Sequence, residues 1–293
     1  MSLKGDAMDV KDIKKVAMIG AGLMGNQIAM QAAISGYTVT CYSRRKETVE
    51  SAARFSKNWF EKQAAKGKMT LEAAAEIQGR LVFTDSLQEA ATNADFVIEA
   101  VADVLETKKS ILAEVDKYAP EHAIYASNSS YIVSSKFCDA VRHPENVINL
   151  HFFNPALVMK IVEVVKGPHV SKETAETAYK FVESIDKTPV LVEKEIYGFI
   201  VNRIFSALTR EACYLLDQGV ATVEDIDKAV KGGLGHPMGP LELLDMTGID
   251  LEYTVYMEKF RNTGDPADRP SVALTEHYAK GEYGRKTKQG FYK

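Results

Sequence analysis

The sequence predicts an α/β domain, a doubly wound and mostly parallel sheet, followed by an all-α domain. Three observations predict it. Short, continuously apolar runs alternate with helix-compatible segments up to about residue 193, the first run breaks into a glycine-rich turn, and no β-like run follows the last. Runs apolar at nearly every position suit a parallel sheet covered on both faces. A chain of 293 residues allows one large domain or two ordinary ones.

VAMIG (16–20) opens the sheet, and a helical pattern follows it to Gly36. YTVTCY (37–42) is the second strand and LVF (81–83) the third. Residues 45–79 between them are more than one crossover needs. RKETVESAARFSKNWFEKQAAKGKM reads as a long helix, and Thr70 caps a second at 71–79. The two make a helical-hairpin insertion whose tip is basic, with Lys57, Lys62, Lys66 and Lys68. DFVIEAV (95–101), AIYAS (123–127), VINLHF (147–152), IVEVV (161–165) and PVLVE (189–193) complete the strands, the last two flanking a helix at 171–186. After them GFIVNRIFSALTREACYLLDQG reads as one long helix ended by Gly219. Thr222 caps VEDIDKAVKGG; then come GHPMGPLELLDMTG, another helical run and a charged tail.

Gly20-Ala21-Gly22-Leu23-Met24-Gly25 directly follows a strand and opens a helix, the context that makes GxGxxG a dinucleotide-binding turn. Gly20 permits the tight turn, Gly22 lets backbone approach the pyrophosphate, and Gly25 lets helix pack on strand. The helix N-terminus offers its N–H groups to phosphate. The chain therefore divides into an N-terminal extension (1–13), a dinucleotide-binding Rossmann domain (14–193) and a helical substrate and dimerisation domain (194–293). A helical domain of that size is expected to bury a face against a copy of itself, giving a homodimer.

An acidic residue usually ends the second strand and grips the ribose 2′-hydroxyl. Here Ser43 stands there, followed by Arg44 and Arg45. Serine removes the charge that repels a 2′-phosphate, and arginine binds that phosphate in a fork. The cofactor is expected to be NADP or NAD, with a lean to NADP. The plainer alternative keeps both arginines as surface solubilisers and Ser43 on an unphosphorylated ribose.

With 46% hydrophobic and 26% charged residues the chain is globular, and its net charge of −4 gives no general attraction for nucleic acid or anionic membrane. No apolar run approaches a membrane span in length. Cys41, Cys138 and Cys213 lie far apart without a CxxC pattern, so a reduced, cytoplasmic protein without a metal site is expected.

LHFFNP (150–155) ends an apolar run on His151, and the next run carries Glu163 in its middle. A carboxylate in an apolar strand needs a partner, and His151 is the natural candidate. Such a pair is either a satisfied polar contact or a general base with the carboxylate that orients it.

GAGLMG, SNSS (127–130), HFFNP (151–155), KIVEV (160–164), GFIVNR (198–203), GHPMGPLELLD (235–245) and GRKTKQGFYK (284–293) occur in this order. Together they resemble the L-3-hydroxyacyl-CoA dehydrogenase family, bacterial 3-hydroxybutyryl-CoA dehydrogenases included, from about residue 14 onward. The resemblance implies interconversion of (S)-3-hydroxyacyl-CoA and 3-oxoacyl-CoA, in fatty acid metabolism. It implies His151 as base and Glu163 as its orienting carboxylate. Ser130 would bond the substrate's 3-oxygen and Asn202 would polarise the substrate from the second domain. Asn154 would support the base, Asn128 would contact the nicotinamide side, and Lys66 would reach coenzyme A phosphates. Leu23, Met24 and Glu99 are counted with the cofactor-binding residues.

The chain departs from the family pattern at Ser43, at Tyr197, where proline is common before GFIVNR, and at Tyr131, where another serine is common after Ser130. Two further readings stand beside this one. A related dehydrogenase would act on a free hydroxy acid or sugar acid, against which the basic hairpin argues. A non-catalytic nucleotide-binding protein would carry the fold without turnover.

Overall fold

In the computed structural model, which describes residues 8–292, eight strands form one sheet. They are β1 (Lys15–Ile19), β2 (Thr38–Tyr42), β3 (Leu81–Thr84), β4 (Phe96–Glu99), β5 (Ile124–Ser127), β6 (Val147–Phe152), β7 (Ile161–Val165) and β8 (Thr188–Val192). Their order is β3-β2-β1-β4-β5-β6-β7-β8. Every neighbouring pair is parallel except β6 and β7. The order of strands switches sides at β1, with β2 and β3 added on one side and β4 on the other, the switch point at which open α/β sheets place a ligand beyond their carboxyl ends.

The strands alternate their side chains between two cores, as a period of two requires. From β1, Val16 and Met18 enter one core with Ile28, Phe96, Leu150 and Phe181. Ala17 and Ile19 enter the other with Val97, Val115, Tyr125 and Phe137. The first core is covered by α1 (Leu23–Ile34) and later by α6 (Lys172–Ser184), the second by α4 (Leu87–Ala91) and α5 (Leu105–Asp116). Phe96 of β4 stacks on Phe181 of α6 with centroids 4.2 Å apart. Such a pair adds about 0.5–1.5 kcal/mol beyond the area it buries.

The long connection is the expected hairpin, α2 (Lys46–Ala65) and α3 (Leu71–Gly79). The Thr70 hydroxyl accepts the Ala73 N–H at 3.1 Å and starts α3. Phe60 of α2 and Ala74 of α3 seat the hairpin on Met30 of α1.

The division of the chain falls at Phe199/Ile200, later than the expected 193/194. The segment after β8 stays with the first unit because Phe199 is buried against Val165 and Val192. The N-terminal extension is also corrected. Residues 1–7 lie outside the described residues, but 8–13 belong to the first unit: Ile13 is buried, Met8 and Val10 pack beside it, and the Thr177 hydroxyl donates to the Met8 carbonyl at 2.6 Å.

The second unit consists of α7 (Val201–Asp217), α8 (Val223–Leu234), α9 (Pro240–Thr247), α10 (Ile249–Thr263) and α11 (Val272–Lys280). Thr222 caps α8 as expected. The tail is more than charged chain. Ser271 caps α11, Leu274 joins Ile249 and Tyr256 in a core, and the Asp217 carboxylate accepts the N–H groups of Val272 and Ala273, both at 2.9 Å. Asp227, fully buried, accepts from Leu241 and Glu242 N–H and from the Tyr292 hydroxyl at 2.7–2.9 Å. Asp245 accepts the N–H groups of Phe291 and Tyr292.

Gly20 has a φ of +111°, and a Cβ on Gly25 would stand 1.8 Å from the Gly20 carbonyl oxygen. Gly25→Ala must therefore push α1 off the turn, and a loss of about 1–3 kcal/mol is expected. A Cβ on Gly22 meets nothing within 4 Å. Gly22→Ala gives up only the better N-cap residue and is expected to stay within about 1 kcal/mol of the parent chain. Urea unfolding of the two variants checks the contrast.

Candidate active site

The site begins with a strand register. In the antiparallel β6–β7 pair, His151 stands directly opposite Glu163, so the two side chains share a face of the sheet. Imidazole Nδ1 lies 2.7 Å from Glu163 Oε2. Glu163 is 0% exposed and His151 3%. Opposite a carboxylate Nδ1 carries the proton, which leaves Nε2 as an acceptor. Nε2 is 3.2 Å from Ser130 Oγ. The rings of Phe153 and Phe199 flank the imidazole at 4.5 and 5.5 Å. Phe199 holds a φ of +46°, a region bulky residues rarely adopt, and its burial against Val165 and Val192 keeps it there.

Ser130 sits on a loop tied down from below. Glu99, at the end of β4, accepts from Lys108 Nζ at 2.8 Å, from the Val101 N–H at 3.1 Å and from the Ser127 hydroxyl. Lys108 also lies 3.3 Å from Asp103, which accepts the Ser129 hydroxyl at 2.5 Å. Ser129 Oγ in turn accepts the Ile132 N–H at 2.8 Å. Asn128 Oδ1 accepts the Phe152 N–H at 2.9 Å and ties this loop to the end of β6, one residue from His151. Glu99 was expected to face the cofactor. It is fully buried with its oxygens engaged inside the protein, which corrects it to a support of the loop. Lys108, Asp103 and Ser129 were missed. The available signal was a lysine on the inward face of α5, where Lys108 is 1% exposed and needs a buried carboxylate.

A second feature of the same unit is a cavity of 570 Å³ beside the glycine turn, lined by Gly22, Leu23, Asn26, Arg45, Thr48 and Ser51 among others. Gly22 caps α1 without a side-chain hydrogen bond, so the first N–H groups of the helix are open to an anion. Gly20 and Gly25 pack the turn against β4 and α1, and Gly22 leaves open space, which is the shape a pyrophosphate needs. Met24 turns inward onto the core. Ser43 follows β2, its Oγ accepting the Arg45 N–H at 3.5 Å. Arg45 lines the cavity, and Arg44 is exposed between β2 and α2.

Asn154 is exposed after Phe153. The turn beyond it is held by Lys187, whose Nζ donates to the carbonyls of Ala156 at 2.6 Å and Met159 at 2.9 Å, and whose pKa burial lowers. Lys66 is the exposed C-cap of α2. Asn202 stands in the first turn of α7, in the second unit. Burial pushes the thiols of Cys41 and Cys213 up to about 12, so both stay protonated and unreactive near neutral pH.

His151, Glu163 and Ser130 form an oriented imidazole facing a hydroxyl, in the same unit as a turn shaped for a dinucleotide. Residues 15–196 match the family model of the 3-hydroxyacyl-CoA dehydrogenase NAD binding domain, and residues 198–293 that of the 3-hydroxyacyl-CoA dehydrogenase C-terminal domain. The chain is 36% identical to a probable 3-hydroxybutyryl-CoA dehydrogenase of Bacillus subtilis, over 96% of this chain and 97% of that one. It is also 36% identical to the mitochondrial hydroxyacyl-coenzyme A dehydrogenase of Homo sapiens, over 96% and 91%. The crystal structure of (S)-3-hydroxybutyryl-CoA dehydrogenase from Ralstonia eutropha superimposes with a TM-score of 0.89 at 34% identity, covering 96% of this chain and 98% of that one.

Proposed function

The chain belongs to the 3-hydroxyacyl-CoA dehydrogenase family, and we propose that it interconverts (S)-3-hydroxyacyl-CoA, 3-hydroxybutyryl-CoA foremost, and the 3-oxoacyl-CoA. The observation that carries the proposal is the line Glu163–His151–Ser130, in which a buried carboxylate fixes the imidazole and turns its acceptor nitrogen toward a hydroxyl. When bound, the nicotinamide supplies the hydride acceptor. The chain supplies the rest. Ser130 positions the substrate's 3-oxygen, His151 Nε2 takes its proton, and Glu163 stabilises the imidazolium that results. In the reverse direction the same imidazolium returns the proton to the 3-oxygen. The family pattern gives Asn202 and Asn154 to substrate polarisation and support of the base, Asn128 to the nicotinamide side and Lys66 to the coenzyme A phosphates.

His151→Gln is expected to lower acetoacetyl-CoA reduction by about 10²–10⁴-fold. Cofactor affinity, measured by fluorescence titration, is expected to hold. Loss of cofactor binding instead would make His151 structural.

The cofactor is read as NADP(H). Ser43 removes the acidic residue at the ribose position, and Arg45 lines the cavity beside the glycine turn. Reduction of acetoacetyl-CoA run side by side with NADPH and NADH is expected to favour NADPH, and Arg45→Ala to shift the ratio toward NADH. A clear preference for NADH in the parent chain would discard this reading and keep the reaction.

The protein is further read as a cytoplasmic homodimer joined through its helical unit. Ile204, Val220, Leu234, Leu251 and Val272 are 55–66% exposed there, apolar side chains that a partner copy would cover. Light scattering at micromolar concentration is expected to return twice the 32.4 kDa of the chain. A monomer would refute the dimer.

A further inference from the structure

The loop that follows His151 is bolted down from several sides. Residues 153–160 join β6 to β7, longer than the roughly two to five residues of a usual hairpin loop. The loop opens on Phe153, whose ring lies 4.5 Å from the imidazole, and on Asn154. Within it the Val158 and Met159 N–H groups both donate to the Pro155 carbonyl at 2.9 Å. Leu157 packs beside Met30 of α1 and Trp59 and Phe60 of the hairpin, and its N–H donates to Gln27 Oε1 at 3.3 Å.

The other anchor is Lys187. β6 runs parallel with β1, β4 and β5, so its last residue and the loop lie at the edge of the sheet that carries the glycine turn. β7 runs back from that edge and β8 is parallel to β7, so β8 starts beside the loop. Lys187 stands just before β8 and is 5% exposed. A buried ammonium needs acceptors. It finds the carbonyls of Ala156 and Met159, at 2.6 and 2.9 Å, both in the loop. Its neighbours repeat the tie: the Thr188 N–H donates to the Lys160 carbonyl at 2.8 Å, and Lys160 Nζ donates to the Asp186 carbonyl at 3.2 Å. Among the described residues no carboxylate pairs with Lys187. Desolvation lowers its pKa, so the charge is kept there at a cost in stability.

Resting on the reaction read above, we propose that Lys187 is a positioning residue for it: by gripping the loop at Ala156 and Met159 it holds Phe153 against the imidazole and keeps His151 Nε2 in line with Ser130 and the substrate's 3-oxygen. A shift of about 1 Å at reacting atoms costs up to about 10²-fold in rate. Lys187 spends its donors on the loop and is enclosed by it, so its effect falls on turnover and not on affinity.

The test is Lys187→Met, which removes the donors and keeps an unbranched side chain. In acetoacetyl-CoA reduction, kcat and the single-turnover rate of nicotinamide oxidation are expected to fall by about tenfold to a hundredfold. KM for the thioester and for the reduced nicotinamide should stay within about twofold of the parent. Phe181→Leu thins the core under α6 away from the loop and shows what lower stability alone does; its kcat is expected to match the parent's. If the methionine variant does not fold, Lys187→Gln, which keeps an amide donor on a shorter arm, is read in the same way. A folded variant with the parent's kcat and single-turnover rate overturns the proposal and leaves Lys187 a structural tie. A raised KM for the thioester at unchanged kcat overturns it too, since the ammonium would then meet the substrate. No turnover by the parent overturns the reaction and the positioning with it.

Discussion

The site depends on the one antiparallel pairing in an otherwise parallel sheet. Between β6 and β7 the register sets His151 opposite Glu163. A slip of one residue would turn Glu163 to the other face of the sheet, into an apolar core where a carboxylate has nothing to bond. It would also leave the imidazole without the group that fixes its tautomer. Register is thus enforced twice, by Val162 and Val164 on one face and by the polar pair on the other. The cost of a buried carboxylate acts here as a selector of one alignment.

Much of this was legible in the residues. Every strand and the hairpin lie where apolar runs and caps place them, because these signals are local. The partnership of Glu163 with His151 was legible too, since a lone carboxylate in a valine-rich run needs an answer nearby. The direction of β7 was not read, although β6 ends at Phe152 and β7 begins at Ile161, too short a gap for a parallel crossover. The buried Glu99–Lys108 pair joins a strand to the following helix and shows only when both are folded. The last helix was read as tail because its support, Asp217, lies far away in sequence.

The two halves of the site obey different rules. Around the glycine turn, backbone atoms crowd so closely that hydrogen is the only side chain allowed at Gly25, and the ligand would meet N–H groups that belong to no side chain. Around His151, side chains do the work and are held by other side chains: Glu163 behind the imidazole, Ser129 and Asp103 beneath the Ser130 loop, Asn128 across to β6. Mutation reaches the second kind of order gradually and the first all at once.

The carboxylates of Asp227 and Asp245 find their donors at Tyr292 and at the N–H groups of Phe291 and Tyr292. Those donors lie some tens of residues after the helices they close, so the helical unit has no finished interior until position 292 has been synthesised. The first unit meets no such delay, since its last buried ring is Phe199. During translation the nucleotide-binding half can therefore be folded while the helical half still waits, half-open, for the residues that shut it. A ribosome stalled shortly before those codons would expose an assembled sheet domain joined to an unsealed bundle, the form on which chaperones and proteases would act.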